Sequence, residues 1–95
     1  MPDPLGQVFS ALADPSRRHV IGYLSERGSA TATELTGELP ITRQAVAKHL
    51  SALADAGLVE SQRRGRETRY QLTDMGTEWD GRLDALARHL RGGGA

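Results

Sequence analysis

Two helix-start signals lie eleven residues apart in the middle of this sequence, and they limit the helix between them to about two turns. Thr31 and Glu34 have the T-x-x-E spacing of a capping box, in which the two side chains accept from backbone N–H groups of the first turn. Pro40 ends this helix, because the residue before a proline disfavours the helical conformation. Thr42 is the N-cap of the next helix, which ends at Gly57. The sequence therefore predicts two short helices joined by a tight turn.

Two more helices are predicted before this pair. The first has an apolar stripe at i, i+3, i+4 and i+7, formed by Leu5, Val8, Phe9 and Leu12. Asp14 and Pro15 then begin a second helix, because an N-cap carboxylate accepts from free backbone N–H groups and proline fits the first helical position. Gly28 stands where a left-handed residue is expected to end this helix.

The pattern changes from helical spacing to short alternation after Gly57. Residues 58–63 and 68–72 flank a glycine turn at 64–67, which predicts a β-hairpin. Thr73 and Asp74 begin a last helix, whose apolar stripe consists of Trp79, Leu83, Leu86 and Leu90. The glycine-rich residues 92–95 are expected to be a disordered tail.

Two short helices joined by a tight turn and followed by a hairpin form the winged helix-turn-helix arrangement. The predicted fold class is therefore mainly α, with about five helices and a two-stranded wing, in one domain over residues 1–91. A chain of 95 residues fits one small domain and excludes a large enzyme core. Since the chain has no cysteine, disulfides and thiolate metal sites are excluded. No signal peptide or membrane span is visible, so a cytoplasmic location is expected.

The fourth helix has two faces of different chemistry. Three apolar residues are expected to pack on the core: Val46, Leu50 and Leu53. The opposite face is polar yet almost uncharged, and it consists of Gln44, Ala47, Lys48 and Ser51. A helix in the DNA major groove needs amides and hydroxyls for base edges, small residues near the bases and cations near phosphates. The alternative is an ordinary solvated face, since most amphipathic helices have a polar side.

Four arginines lie within seven residues of the predicted hairpin: Arg63, Arg64, Arg66 and Arg69. The net charge of the chain is zero, but residues 41–70 carry six basic and three acidic groups. Arginine pairs with phosphate oxygens, and a wing beside the minor groove of DNA would place it there. The alternative is that these arginines keep the edge strands soluble. Arg69 is expected on the outer face, in a weak surface pair with Glu60 or Glu67.

Three separated blocks of the sequence resemble the ArsR (arsenical-resistance repressor) family: ALADPSRR at residues 11–18, ITRQAVAKHL at 41–50 and AGLV at 56–59. The similarity covers about 70 residues. The second block alone also suits MarR-type or PadR-type regulators, which are usually longer. The resemblance implies a homodimeric bacterial repressor, whose first and last helices pair across the dimer axis. It also implies that the fourth helix reads the major groove and that the wing touches flanking DNA.

The sequence departs from the metal-sensing members of that family. Their third helix carries a Glu-Leu-Cys-x-Cys motif, whereas residues 34–38 of this chain read ELTGE. The site on their last helix needs an Asp-x-His pair, and this chain offers Asp80, Asp84 and His89. No metal and no cofactor are therefore predicted, and the sequence identifies no small-molecule effector. Ala47 stands where the family often has serine, which removes one hydrogen bond to DNA.

The predicted DNA-binding set joins the helix face, the start of that helix and the wing: Thr42, Arg43, Gln44, Ala47, Lys48, His49, Ser51, Arg63, Arg64 and Arg66. Arg43 is expected to reach a guanine or a phosphate. Two interpretations of His49 stay open, because its ring could donate to DNA or pack internally against the hairpin. The expected partner is double-stranded DNA.

The terminal helices are predicted to form a dimer interface. A small core cannot cover the apolar sides of both helices, and the remaining patch would be larger than monomers usually expose. Twofold pairing is the simplest cover, and it would set two recognition helices one helical turn apart on a palindromic operator. The predicted interface residues are Leu5, Val8, Phe9, Leu12, Trp79, Leu83, Leu86 and Leu90.

Two other function classes have less support. A winged helix that binds an acidic protein instead of DNA would suit the neutral overall charge, but it gives the arginine-rich wing a less direct role. An enzyme is not predicted, because no paired carboxylates, nucleophile motif, phosphate loop or metal cluster appears in the sequence.

Overall fold

The computed structural model describes residues 3–92, and within them it has five helices and three strands. Their order is α1 (Pro4–Leu12), α2 (Pro15–Arg27), β1 (Ala30–Thr31), α3 (Ala32–Glu38), α4 (Arg43–Asp55), β2 (Val59–Arg64), β3 (Glu67–Leu72) and α5 (Asp74–Gly92). The prediction of a mainly α winged helix-turn-helix with five helices is confirmed.

Local side-chain contacts fix the helix starts as predicted. In the capping box, the Glu34 backbone N–H donates to Thr31 Oγ1 at 3.1 Å, and the Thr31 N–H donates to Glu34 Oε1 at 3.2 Å. The N–H of Ala45 donates to Thr42 Oγ1 at 3.1 Å at the start of α4. Gly28 ends α2 with a φ of +85°, a conformation that residues with a Cβ rarely adopt. These contacts fix the end of α2 and the starts of α3 and α4.

The sheet has one more strand than the two predicted. Its order is β1-β3-β2, and all pairs are antiparallel. The hairpin of β2 and β3 runs from the Val59–Leu72 pair to the Arg64–Glu67 pair at its tip. β1 adds two residues, with Thr31 opposite Arg69. A strand of two residues is too short to show an alternating pattern, so no sequence signal predicts it.

The core lies between the five helices and the base of the sheet. Its fully buried larger side chains are Val20, Ile21, Leu24, Leu35, Val46, Leu53 and Leu58. Val46, Leu50 and Leu53 point inward from α4, as predicted. The burial of this side of α4 leaves the opposite side facing outward.

Two residues of the predicted dimer interface belong to this core instead. Val8 and Leu12 are 3% and 5% exposed, because α1 packs its inner face on the rest of the protomer. Their inclusion in an intersubunit surface is therefore wrong. Leu5 and Phe9, on the same helix, remain more than half exposed.

The start of α5 is joined tightly to the end of α4 and the start of β2. The Thr73 hydroxyl donates to the Gly57 carbonyl at 2.6 Å and accepts from the Gly76 N–H at 3.0 Å. The Thr73 N–H donates to the Leu58 carbonyl at 3.1 Å. A Cβ at position 76 would overlap that same carbonyl oxygen, so only glycine lets the helix approach so closely.

α5 includes Gly92, the first residue of the predicted tail, and residues 93–95 lie outside the described part of the chain. The disordered tail and the domain limits stay predictions. None of the helices within residues 3–92 is both long and apolar enough to cross a membrane.

Candidate nucleic-acid interface

The outward face of α4 is an exposed polar surface. Its four residues are all exposed: Gln44, Ala47, Lys48 and Ser51. They lie opposite the buried side of the helix and present an amide, a methyl group, an ammonium and a hydroxyl. Such a surface offers donors and acceptors with few charges, which is the chemistry that pairs with base edges.

The start of α4 carries the next two predicted contacts. Thr42 caps the helix and is exposed. Arg43 is also exposed, and its Nη2 donates to Thr33 Oγ1 on α3 at 2.9 Å. This bond links the two helices of the helix-turn-helix and leaves the other guanidinium N–H groups available to an anion or a base.

His49 does not share the exposed face. Its side chain is only 8% exposed, and its Nδ1 accepts a hydrogen bond of 3.2 Å from Nε of Arg17 on α2. The structure therefore corrects the inclusion of His49 in the DNA-binding set and places its side chain inside the fold. The partner that it records is α2 and not the hairpin.

Three wing arginines are exposed around the hairpin tip: Arg63, Arg64 and Arg66. Nε of Arg63 donates to the Gly65 carbonyl at 3.1 Å, and Nη2 of Arg64 donates to Gln62 Oε1 at 3.5 Å. None of the three makes an ion pair with a carboxylate of residues 3–92. Their charges are therefore available to phosphates.

Arg69 has a different role from the other wing arginines. Its guanidinium donates to Ser29 Oγ at 3.0 Å and forms ion pairs with Glu34 at 3.1 Å and Glu67 at 3.5 Å. The predicted pair with Glu67 is present, but the side chain is only 27% exposed and joins β3 to the start of α3. Glu60 instead accepts from Gln71. Arg69 therefore fixes the wing to the helix-turn-helix.

The environment of Glu34 lowers the pKa of its carboxyl group. The largest cause is the backbone hydrogen bond from Thr31, which together with the Thr31 side chain and the charge of Arg69 outweighs the opposing effect of burial. Glu34 thus stays ionised while it caps α3 and pairs with the wing. Sequence spacing predicted the capping contact, but nothing local in the sequence indicates the pair with Arg69, which is 35 residues away.

The remaining predicted interface residues lie on α1 and α5. Leu5, Phe9, Leu86 and Leu90 are 52%, 54%, 53% and 69% exposed. Trp79 and Leu83 are half-buried and pack against the core, and the Phe9 and Trp79 rings meet edge to face at 5.5 Å between centroids. Within residues 3–92, the histidines and carboxylates form no group of three or more that could hold a metal ion.

The sequence of this chain is similar to those of known transcriptional regulators. A helix-turn-helix domain model matches residues 12–62 of the chain. An uncharacterized HTH-type transcriptional regulator, YuzN of Bacillus subtilis, is 52% identical over 65 residues, which are 62% of this chain and 71% of that protein. A probable mercury resistance operon repressor of Streptomyces lividans is 37% identical over 73 residues, which are 77% of this chain and 58% of that protein.

A solved structure of a transcriptional regulator is similar over nearly the whole chain. It is an ArsR-like transcriptional regulator from Rhodococcus sp. RHA1, with 39% sequence identity and a TM-score of 0.70. The similarity covers 90% of this chain and 91% of that one.

Proposed function

This chain belongs to the ArsR family of winged helix-turn-helix transcriptional regulators, and we propose that it represses transcription by binding duplex DNA as a homodimer. In this role α4 lies in the major groove and the β2–β3 wing lies beside the adjacent minor groove. The family consists of regulators and not of enzymes. A cytoplasmic location is part of the proposal, since duplex DNA is the partner.

The observation that carries the proposal is the exposed face of α4. Its inner side is anchored by Val46, Leu50 and Leu53, so the outer side is held in a fixed orientation. Gln44 offers the two-bond pairing with adenine that an amide provides, and Lys48 lies one turn further on to meet a phosphate. The exposed arginines at the wing tip extend this surface with cations that no carboxylate of residues 3–92 neutralises.

The homodimer part of the proposal is supported by the exposed side chains of the terminal helices. Leu5 and Phe9 on α1 and Leu86 and Leu90 on α5 leave large apolar surfaces in water in a single protomer. Pairing with the same surface of a second copy would remove these apolar side chains from water, which is energetically favourable. A twofold pair of α4 helices then matches a palindromic operator, with half-sites about one helical turn apart.

Fluorescence anisotropy tests the proposal directly. The probe is a labelled duplex that carries the DNA upstream of the gene for this chain, titrated in the presence of unlabelled random duplex. We expect saturable binding that survives the competitor and that a shuffled duplex of the same composition does not reproduce. Equal binding to the shuffled duplex would contradict sequence-specific recognition, and no binding at low salt would favour the protein-interaction alternative.

A further inference from the structure

A buried histidine lies behind the exposed face of α4. Among residues 3–92, His49 is the one polar or ionisable residue that is buried, at 8% exposure. It directly follows Lys48 in the sequence, and its ring points to the inner side of the helix. Nε of Arg17, on the first turn of α2, donates to its Nδ1 at 3.2 Å. This bond joins the recognition helix to a neighbouring helix 32 residues away in the chain.

The direction of this hydrogen bond fixes the charge state of the histidine. Arginine has donors but no acceptor, and it keeps its proton at all relevant pH values. Nδ1 of His49 must therefore carry the lone pair, which makes the ring neutral with its proton on Nε2. A protonated ring has two donors and no acceptor, so no rotation of the ring restores the bond to Arg17.

Protonation would also place two cations in contact. The Arg17 and His49 nitrogens are 3.2 Å apart, and the buried position of the imidazole leaves little water to screen their charges. To reach solvent, the ring would have to leave the position against α2 in which it is 8% exposed. The surrounding core, with Val46 and Leu50 on the same helix, resists such a movement.

The other charged group that acts on this pair is Asp14, the N-cap of α2. Burial raises the pKa of its carboxyl group, but hydrogen bonds from the Ser16 and Arg17 backbone outweigh this, together with the charge of Arg17 and the charge that His49 carries when it is protonated, so the pKa is lowered. Asp14 is thus an anion that offsets part of the repulsion between Arg17 and a protonated His49. It does not place an acceptor between the N–H groups of these two side chains.

The pocket beside Arg17 adds one further ionisable group. It is lined from α1 and α4 by Gln7, Ser10, Ala52 and Asp55, and of these four only Asp55 can carry a charge. Within residues 3–92, no hydrogen bond or ion pair joins Asp55 to Arg17 or His49, so Asp14 is the carboxylate that softens the repulsion between Arg17 and a protonated His49.

We propose that His49 is a positioning residue that holds α4 in its DNA-reading orientation only while its imidazole is neutral, so that protonation breaks the bond to Arg17 and weakens operator binding. This rests on the proposed function, because it assigns regulation to the same DNA-binding surface. The hydrogen bond between Arg17 and His49 would make operator binding sensitive to acid, although His49 does not contact DNA.

The test measures operator affinity against pH. The probe is the upstream duplex, compared with random duplex at constant ionic strength between about pH 5.5 and 8, the range in which histidine titrates. If only the neutral form is competent, the operator Kd of the dimer rises as the pH falls, by up to about tenfold per pH unit for each of its two His49 side chains. Random duplex binds equally or more tightly at low pH, because protonation adds positive charge. Circular dichroism at each pH confirms that the chain stays folded.

Two histidine variants separate the bond from general charge effects. His49→Gln keeps an acceptor for Arg17 but does not titrate, so its operator affinity is expected to be nearly independent of pH. His19→Gln removes an exposed histidine of α2 and is the matched control, and it is expected to keep the pH profile of the unmodified protein.

A measurement without DNA keeps the proposal testable if His49→Gln fails to fold. Imidazole ¹⁵N NMR is expected to show the Nε2–H form of His49. In Arg17→Gln the amide can accept as well as donate, so the Nε2–H form is expected to lose its exclusive population. An Nδ1–H form in the unmodified protein, or an operator affinity that is constant over the measured pH range, would overturn the proposal. Absence of operator binding at every pH would overturn the proposed function and this proposal with it, whatever form NMR reports.

Discussion

Gln44 is the residue from which we expect the largest contribution to base recognition. It is exposed near the start of α4, and its amide can form two hydrogen bonds with the N6 and N7 edge of adenine. Gln44→Ala is therefore expected to weaken operator binding by about 1–3 kcal/mol and binding to random duplex by much less. Parallel anisotropy titrations on the two duplexes measure the difference.

The control for this variant removes the same amide elsewhere. Gln7→Ala deletes an exposed glutamine on α1, outside the predicted DNA-binding set, and should leave the ratio of the two affinities unchanged. If Gln44→Ala weakens both duplexes equally, Gln44 contacts the backbone of DNA and does not read bases.

For individual residues, the sequence predicted those side-chain contacts whose two partners are close together in the chain. The caps at Thr31 and Thr42 follow from spacings of three residues, so they were predictable and are present. The inward position of His49 and the wing anchor Arg69 depend on partners 32 and 40 residues away. No periodic pattern encodes such contacts, and the DNA-binding set therefore included a histidine that is buried.

Among the elements, α5 depends on one glycine at its first turn. A Cβ at position 76 would overlap the Leu58 carbonyl oxygen, and moving this backbone would disturb the junction of three elements. Gly76→Ala is expected to lower the free energy of unfolding by about 1–3 kcal/mol. Gly81→Ala is the matched control on the same helix, where an added Cβ meets nothing within 4 Å. Helix propensity alone predicts that Gly81→Ala stabilises the protein by about 0.5–1 kcal/mol.

Chemical denaturation of both glycine variants measures these changes. A result in which they shift the free energy of unfolding in the same direction would show that the close approach at Gly76 is not what holds α5 in place.

The wing is expected to contact phosphates and not bases. Arg64 and Arg66 are exposed at its tip and make no ion pair with a carboxylate of residues 3–92. The double variant Arg64→Ala with Arg66→Ala should weaken binding to operator and random duplex alike. The slope of log K against log salt concentration should fall by about 0.9 for each phosphate that the variant no longer neutralises. Titrations at several salt concentrations give this slope.

A single arginine outside the wing provides the comparison. Arg27, near the end of α2, stacks on the Tyr23 ring and lies outside the predicted set, so Arg27→Ala should leave the slope unchanged. An unchanged slope in the wing double variant would instead mean that these arginines only keep the edge strands soluble.

The helices and strands were largely predictable because their apolar residues recur at regular spacing. The hairpin and all five helices were predicted from apolar spacing and from proline, glycine and capping residues. β1 was not, because two residues have no period, and the backbone of Thr31 serves both the strand and the cap of α3. The extra strand matters for the proposed function, since it pairs with β3 at Arg69, where the wing is fixed.

Across the protomer as a whole, the sequence could not divide the apolar residues between the core and a subunit interface. Residues of the core and residues of an interface both recur at helical spacing, so Val8 and Leu12 were grouped with Leu5 and Phe9 in the predicted interface. The structure shows that α1 turns Val8 and Leu12 inward and leaves Leu5 and Phe9 exposed. The packing of the other helices decides which side of α1 is buried. The proposed interface on α1 is therefore limited to its exposed residues.

The proposed dimer depends most on the end of α5, where Leu86 and Leu90 are the exposed leucines of the helix. Since they lie four residues apart, they form one side of the helix, and the double variant Leu86→Glu with Leu90→Glu places two charges on it. The fold of a protomer should survive, because neither side chain belongs to its core. We expect sedimentation equilibrium to show monomers, and operator binding to weaken strongly, because one protomer contacts only one half-site.

Two comparisons decide whether these leucines hold the dimer together. The unmodified protein should have a Tm that rises with concentration, because association stabilises the folded state, and the leucine variant should not. Ser25→Glu with Arg27→Glu changes exposed residues of α2 and serves as the control that keeps the dimer. A leucine variant that still sediments as a dimer would place the interface elsewhere, whereas a monomer with undiminished operator affinity would separate DNA binding from dimerisation altogether.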